Sequence, residues 1–159
     1  MADRLFDSMD LRQAVEIDDL EPVELGEPEL SAVLDGSNIV YTAAVPFTGS
    51  KELLLARPET QDGRTNLRSM GLTGSVQDGS VHLQSRPRDH ATASSNDGET
   101  WLGLQLNNLR TVVRDLNRAV AERKRVRAHK AELDAADLAA AEEKVRAINE
   151  EFQARKKTT

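Results

Sequence analysis

The sequence contains no cysteine, which removes disulfides and thiolate metal sites at the outset. Aromatic residues are scarce: one Trp, one Tyr and three Phe in 159 residues. Large aromatics dominate core energetics, so any core here is built from Leu, Val, Ile and Ala and is small. Long apolar runs are missing as well, Ile39-Val40-Tyr41 and Leu53-Leu54-Leu55 being typical of the longest. Such runs cannot supply a membrane-crossing helix, and the acidic start Met1-Ala2-Asp3-Arg4 does not read as a signal peptide. The expectation is a soluble chain with no membrane partner, cytoplasmic, or part of a virion if of phage origin.

The three histidines, His82, His90 and His129, stand far apart, so no helical pair of metal ligands exists. No metal and no cofactor is expected. Two short patterns resemble catalytic ones. Asp89-His90 precedes Ser94-Ser95, but in a stretch of small residues with no hydrophobic walls. Gly71-Leu72-Thr73-Gly74-Ser75 looks like a phosphate loop fragment, but it lacks the following Lys and the strand-to-helix setting that aims backbone N–H groups at an anion. Neither supports an enzyme.

What is abundant is charge, distributed unevenly. The net charge of −6 divides into −9 over residues 1–35, −1 over 36–100 and +4 over 101–159. An acidic head and a basic tail attract one another, or one another's copies, within the screening length of roughly 8 Å at physiological salt.

Residues 1–35 read as an acidic arm, disordered or extended, with Leu5, Phe6, Met9, Leu11, Val15, Ile17 and Leu20 interleaved among acids. Ser8 is placed to cap a short helix over Met9–Ile17, which Pro22 and Pro28 keep from lengthening. Residues 36–86 read as a small antiparallel β portion. Asn38 to Val45 is rich in strand formers, with Pro46 marking its end or an edge. Ser50 then precedes Lys51-Glu52-Leu53-Leu54-Leu55, either a capped helical turn or a second strand. Pro58 and Gly63 open a loop. Asp78-Gly79, between Val76 and the pair Val81 and Leu83, predicts a two-residue hairpin turn with both central residues at positive φ. A sheet of about three or four strands is not stable alone and must lie on a helix. Residues 87–99 carry no large apolar side chain and read as a flexible loop.

Residues 100–157 read as long amphipathic helices. From Leu104 onward there is neither Gly nor Pro, and Asp97 or Thr100 is available as a cap. Leu102, Leu106, Leu109, Val113, Leu116 and Val120 follow at spacings of 4, 3, 4, 3 and 4. Leu138, Ala141, Val145, Ile148 and Phe152 follow at 3, 4, 3 and 4. Both are heptad seams. Between them the register falls on Arg123, Arg127, Lys130 and Asp134. That favours a turn near 132–137 with Asp134 capping a second helix, hence a helical hairpin. The absence of Gly and Pro there argues instead for one continuous helix, as in a coiled coil. Six fully buried seam residues contribute roughly 9–18 kcal/mol before entropy, a gain that needs a partner helix or the β portion to cover the seam.

Between residues 110 and 130 lie eight basic and two acidic side chains. Arg110, Arg114 and Arg118 share one helical stripe and, with Arg125, could neutralise phosphates, with Asn107, Asn108 and Asn117 adding hydrogen bonds. The plainer reading is a solvated coiled-coil flank, or a docking face for the acidic arm, since no aromatic is present in 123–127 for base stacking. His129, inside this basic helix, reads as exposed and structural.

The stretch Val45-Pro46-Phe47-Thr48-Gly49-Ser50-Lys51-Glu52-Leu53-Leu54-Leu55-Ala56-Arg57-Pro58-Glu59-Thr60 is similar to a segment of uncharacterised bacterial proteins. There a strand ends in Phe-Thr-Gly, followed by Glu-Leu and Arg-Pro. Leu54 and Leu55 stand where that segment carries aromatics. The resemblance spans about a tenth of the chain and implies a β portion running into long helices, with no activity to carry over.

The sequence therefore predicts an α+β protein: acidic arm, small antiparallel sheet, long C-terminal helices. Its expected role is non-enzymatic, a structural or adaptor component of a bacterial or phage assembly. Its partner is another protein or a second copy, chiefly through Leu102–Val120. The alternative is a nucleic-acid-binding accessory protein using residues 110–130.

Overall fold

The computed structural model describes residues 3–7, 9–11, 17–57 and 72–158. It is α+β: strands fill the first part and one long helix the last. The chain divides into two compact units, Met1–Ala121 and Glu122–Thr159.

In the first unit the organising element is β5, Asn38–Thr48. It pairs antiparallel with β8, Ser80–Gln84, along one edge. Along the other edge it pairs with β4, Glu29–Asp35, and then β3, Glu24–Leu25. Strands β7, Gly74–Gln77, and β1, Asp3–Arg4, extend the sheet beyond β8. Strand β9, Arg88–Asp89, pairs with the first residues of β5. A separate parallel pair joins β2, Met9–Asp10, to β6, Ala56–Arg57.

Strand β5 does not end at Pro46. Proline lacks only the N–H, and the Pro46 carbonyl still accepts a 2.7 Å bond from Gly26 N–H while Phe47 N–H donates to Gly79 O at 3.0 Å. The predicted hairpin is present as β7–β8, with Val76 opposite Val81. Its turn differs from expectation: Gly79 takes φ 75° and Asp78 does not take positive φ. That is the φ pattern of a type II turn, in which only the second central residue needs glycine's freedom. Ser50–Leu55 resolves as the helical turn α1, Lys51–Leu55, but Ser50 makes no side-chain cap. Its hydroxyl instead accepts Glu21 N–H at 2.7 Å.

Over its described residues the acidic arm is part of the fold, mostly extended, with a turn at Leu5–Phe6 and a 3-10 turn at Ile17–Asp19. Phe6, Leu11, Leu20 and Val23 are buried, and residues 24–35 supply two strands. Met9 and Asp10 are strand, so no helix begins there; Ser8 and residues 12–16 of that expected helix lie outside the described residues, as does the expected loop at Pro58 and Gly63.

The helix α2 runs Ser95–Lys157 without interruption, so the hairpin at 132–137 is not formed and Asp134 caps nothing. Six alanines between 131 and 141, with no Gly or Pro, favour continuation strongly enough to outweigh the broken seam register. The expected loop 87–99 is also corrected. Strand β9 and a turn occupy its first half, and α2 begins at Ser95 rather than near Thr100. Sheet and helix share one core in the first unit, containing Tyr41, Ala43, Val45, Val76, Val81 and Leu83 with Trp101, Leu106, Leu109, Val112, Val113 and Leu116.

Candidate functional site

The start of α2 is fixed by side chains that the sequence suggested for other work. Ser94 Oγ accepts Asp97 N–H at 3.1 Å, as an N-cap does, so Ser94 and not Asp97 or Thr100 is the cap. Tyr41 Oη accepts Ser94 N–H at 3.1 Å and lies 2.9 Å from Asp97 Oδ2, to which it can donate. Burial, reinforced by the Asp97 carboxylate, pushes the Tyr41 phenol above its ordinary pKa. Gly98 lies against the Tyr41 ring, where an added Cβ would sit 3.0 Å from two ring carbons. These contacts set the rotation of the helix and hence which face meets the sheet.

That face is the first seam. Leu106, Leu109, Val113, Leu116 and Val120 are 8, 0, 6, 1 and 4% exposed, and Leu102 is half-buried. They are covered by the chain's own sheet and arm, so Leu102–Val120 is not available for self-association as expected. Asn117 completes the cover. Its Oδ1 accepts Val23 N–H at 2.9 Å and its Nδ2 donates to Val23 O at 3.0 Å, so the amide occupies one residue of the arm as a neighbouring strand would. Asn117, expected to add hydrogen bonds to a phosphate, pairs its amide with Val23 instead; its i, i+4 spacing from Val113 and i, i+3 spacing to Val120 put it beside the buried seam.

The second unit is different throughout. Leu138, Val145, Ile148 and Phe152 are 61, 57, 40 and 54% exposed. Ala141, between them, is exposed too. Val126 and Leu133 are 52 and 57% exposed but fall outside this heptad. A seam with heptad spacing thus lies open to solvent for five positions, flanked by Ala and charged residues.

The basic candidates do not gather into an anion site. Arg110 and Arg118 are exposed. Arg114 Nε lies 3.6 Å from Asp115. Arg110 and Arg114 line a shallow cavity of about 490 Å³ together with the acidic residue Glu24. Arg125 binds Glu122 through two bonds of 2.6 and 3.1 Å, and this guanidinium holds the Glu122 carboxyl below its usual range. His129 is exposed.

The catalytic look-alikes have structural duties. Asp89 Oδ1 accepts Ala91 N–H at 3.0 Å in a turn, and Ser94 is the helix cap. Gly74 is a strand residue where an added Cβ would come within 2.5 Å of the His82 carbonyl, which accounts for the glycine without a phosphate. Gly71 lies outside the described residues. Among the described residues no group of three or more potential ligands could hold a metal, and no helix is long and apolar enough to cross a membrane.

Comparison with known proteins found no matching family model, curated protein or solved structure.

Proposed function

We propose that this protein is a non-enzymatic structural or adaptor component of a larger protein assembly, attached through the C-terminal part of α2. The observation that carries this reading is the uncovered heptad stripe Leu138, Ala141, Val145, Ile148 and Phe152. Four large apolar side chains at one-face spacing, each about half exposed, forfeit roughly half of the ~1.5–3 kcal/mol that full burial is worth, and a partner helix recovers it. The first seam stabilises the fold, and the second is left for association.

The test is light scattering of the purified protein on a sizing column, with its ultraviolet spectrum, beside the variant Val145→Asp/Ile148→Asp. The expected result is association, seen as a mass above 17.5 kDa, that the variant loses while keeping its helix content. Association unaffected by the variant, or none in either protein, would reject the reading. Co-purified nucleic acid released by salt and by Arg110→Glu/Arg114→Glu/Arg118→Glu would favour the basic stripe instead.

A further inference from the structure

We infer that the occupant of the 138–152 stripe is a second copy of the same helix lying antiparallel to it. This rests on the assembly reading above and adds the identity and direction of the partner.

Size complementarity is the first argument. In a heptad frame Leu138, Val145 and Phe152 are one kind of core position, and Ala141, Ile148 and Arg155 the other. Antiparallel helices place the two kinds opposite one another. Phe152 then faces Ala141 of the second copy, and Val145 faces Ile148. Leu138 faces Arg155, whose aliphatic stem can cover it while its charged end reaches water. The largest side chain, Phe152, thus meets the smallest, Ala141, and the mid-sized Val145 and Ile148 meet each other, which keeps the spacing between the axes more even than like-on-like stacking would. A parallel pair would stack Phe152 on Phe152 and Ala141 on Ala141, forcing the helices apart at one layer and leaving a void at another.

Charge selects the same direction. The flanking positions Lys144 and Glu151, both exposed, come opposite each other in the antiparallel pair, and symmetry supplies that contact twice. Glu142 comes opposite Asn149, which is neutral. Parallel chains would instead set Asp137 against Glu142, a like-charge contact that cancels the Glu151–Lys156 attraction they would also form, so only the antiparallel pair has a net attraction at its flanks. The antiparallel arrangement also brings Arg155, Lys156 and Lys157 beside Glu132, Asp134 and Asp137 of the second copy. In the parallel arrangement each block would lie beside its own kind.

The chain has no cysteine, so single thiols can be added without background. Leu138→Cys and Arg155→Cys are prepared separately, mixed, and oxidised gently. The antiparallel pair predicts a disulfide between the two variants in large excess over either homodimer. In a parallel pair residues 138 and 155 of opposite copies are about 25 Å apart at ~1.5 Å per residue, beyond the roughly 7 Å that a disulfide spans. Each variant would then link only to itself, and that result would overturn the proposal. A charge exchange gives a second, thiol-free readout. Lys144→Glu should weaken the dimer severalfold, and adding Glu151→Lys should restore it. Failure of the second change to rescue the first contradicts the pairing. If the wild-type chain is a monomer yet carries another protein that Val145→Asp/Ile148→Asp releases, self-pairing is wrong and the assembly reading stands. If it carries nothing, both are wrong.

Discussion

One helix contains two stretches with the same spacing of apolar residues and opposite fates. The seam residues Leu106, Leu109, Val113, Leu116 and Val120 are at most 8% exposed, while Leu138, Val145, Ile148 and Phe152 are at least 40% exposed. The residue types hardly differ: Leu and Val in the first, Leu, Val, Ile and Phe in the second. A heptad pattern states that a stripe needs cover; it is silent on whether the cover is in the same chain. In the first stretch the difference lies in the neighbours. Trp101 and Val112 widen the apolar stripe into a face that fits a sheet and Asn117 pairs with the arm at its border, whereas the second stretch is a narrow seam bordered by Ala and charges, the shape that suits another helix.

The contrast breaks most visibly under a buried charge. Leu109→Asp should lose the cooperative unfolding transition of residues 1–121, a cost above about 4 kcal/mol. Ile148→Asp should leave that transition in place and change only association. Thermal melts of both variants at one concentration check this; equal damage would mean that the two stretches are not separate in kind. Leu116→Ala should cost about 2–5 kcal/mol by denaturant titration, against almost nothing for Leu138→Ala in dilute solution.

Smaller effects sharpen the account of why the first stretch is covered. Asn117→Ala leaves the Val23 backbone groups without their partner and should cost about 1–3 kcal/mol, with faster amide exchange at Val23. The two glycines early in α2 should respond with opposite sign. Gly103 has nothing within 4 Å of an added Cβ, so Gly103→Ala should stabilise by about 1 kcal/mol through helix propensity. Gly98→Ala meets the Tyr41 ring at 3.0 Å, a ring held at its hydroxyl by Ser94 and Asp97. It should forfeit that gain and destabilise by about 1 kcal/mol.

The smallest effect is alkaline. The folded state raises the Tyr41 pKa, so its stabilisation is complete below the ordinary tyrosine value and is lost as pH rises through the folded one. Tyr41 is the only tyrosine, so phenolate absorbance reports it alone. Titration at or below the ordinary value would contradict the buried Tyr41–Asp97 contact.

Much of this was legible in the sequence. The β-then-helix order, the 76–83 hairpin, strand β5 and both seams follow from alternation, Asp-Gly and heptad spacing. Strand β4 was the main omission, hidden by the acidity of residues 1–35. Yet Leu30, Ala32 and Leu34 alternate ahead of Asp35-Gly36, the same dipeptide that marked the second hairpin. Charge obscured the strand because β4 is an edge with every residue exposed, where acids cost little. The hairpin expected at 132–137 does not form for a different reason: where nothing is buried, backbone propensity outweighs seam register. The sheet as one possible cover of the first seam was legible, since a small sheet must lie on a helix, but the contact of Val23 with Asn117 spans 94 residues and leaves no local signal.

The central claim is that one stretch of α2 is covered by its own chain and the other by association. Amide hydrogen exchange, measured on the wild-type protein over a range of concentrations, tests it most directly. The account predicts that protection of residues 102–120 stays constant while protection of residues 138–152 rises with concentration. Protection of 138–152 that does not change with concentration would contradict it.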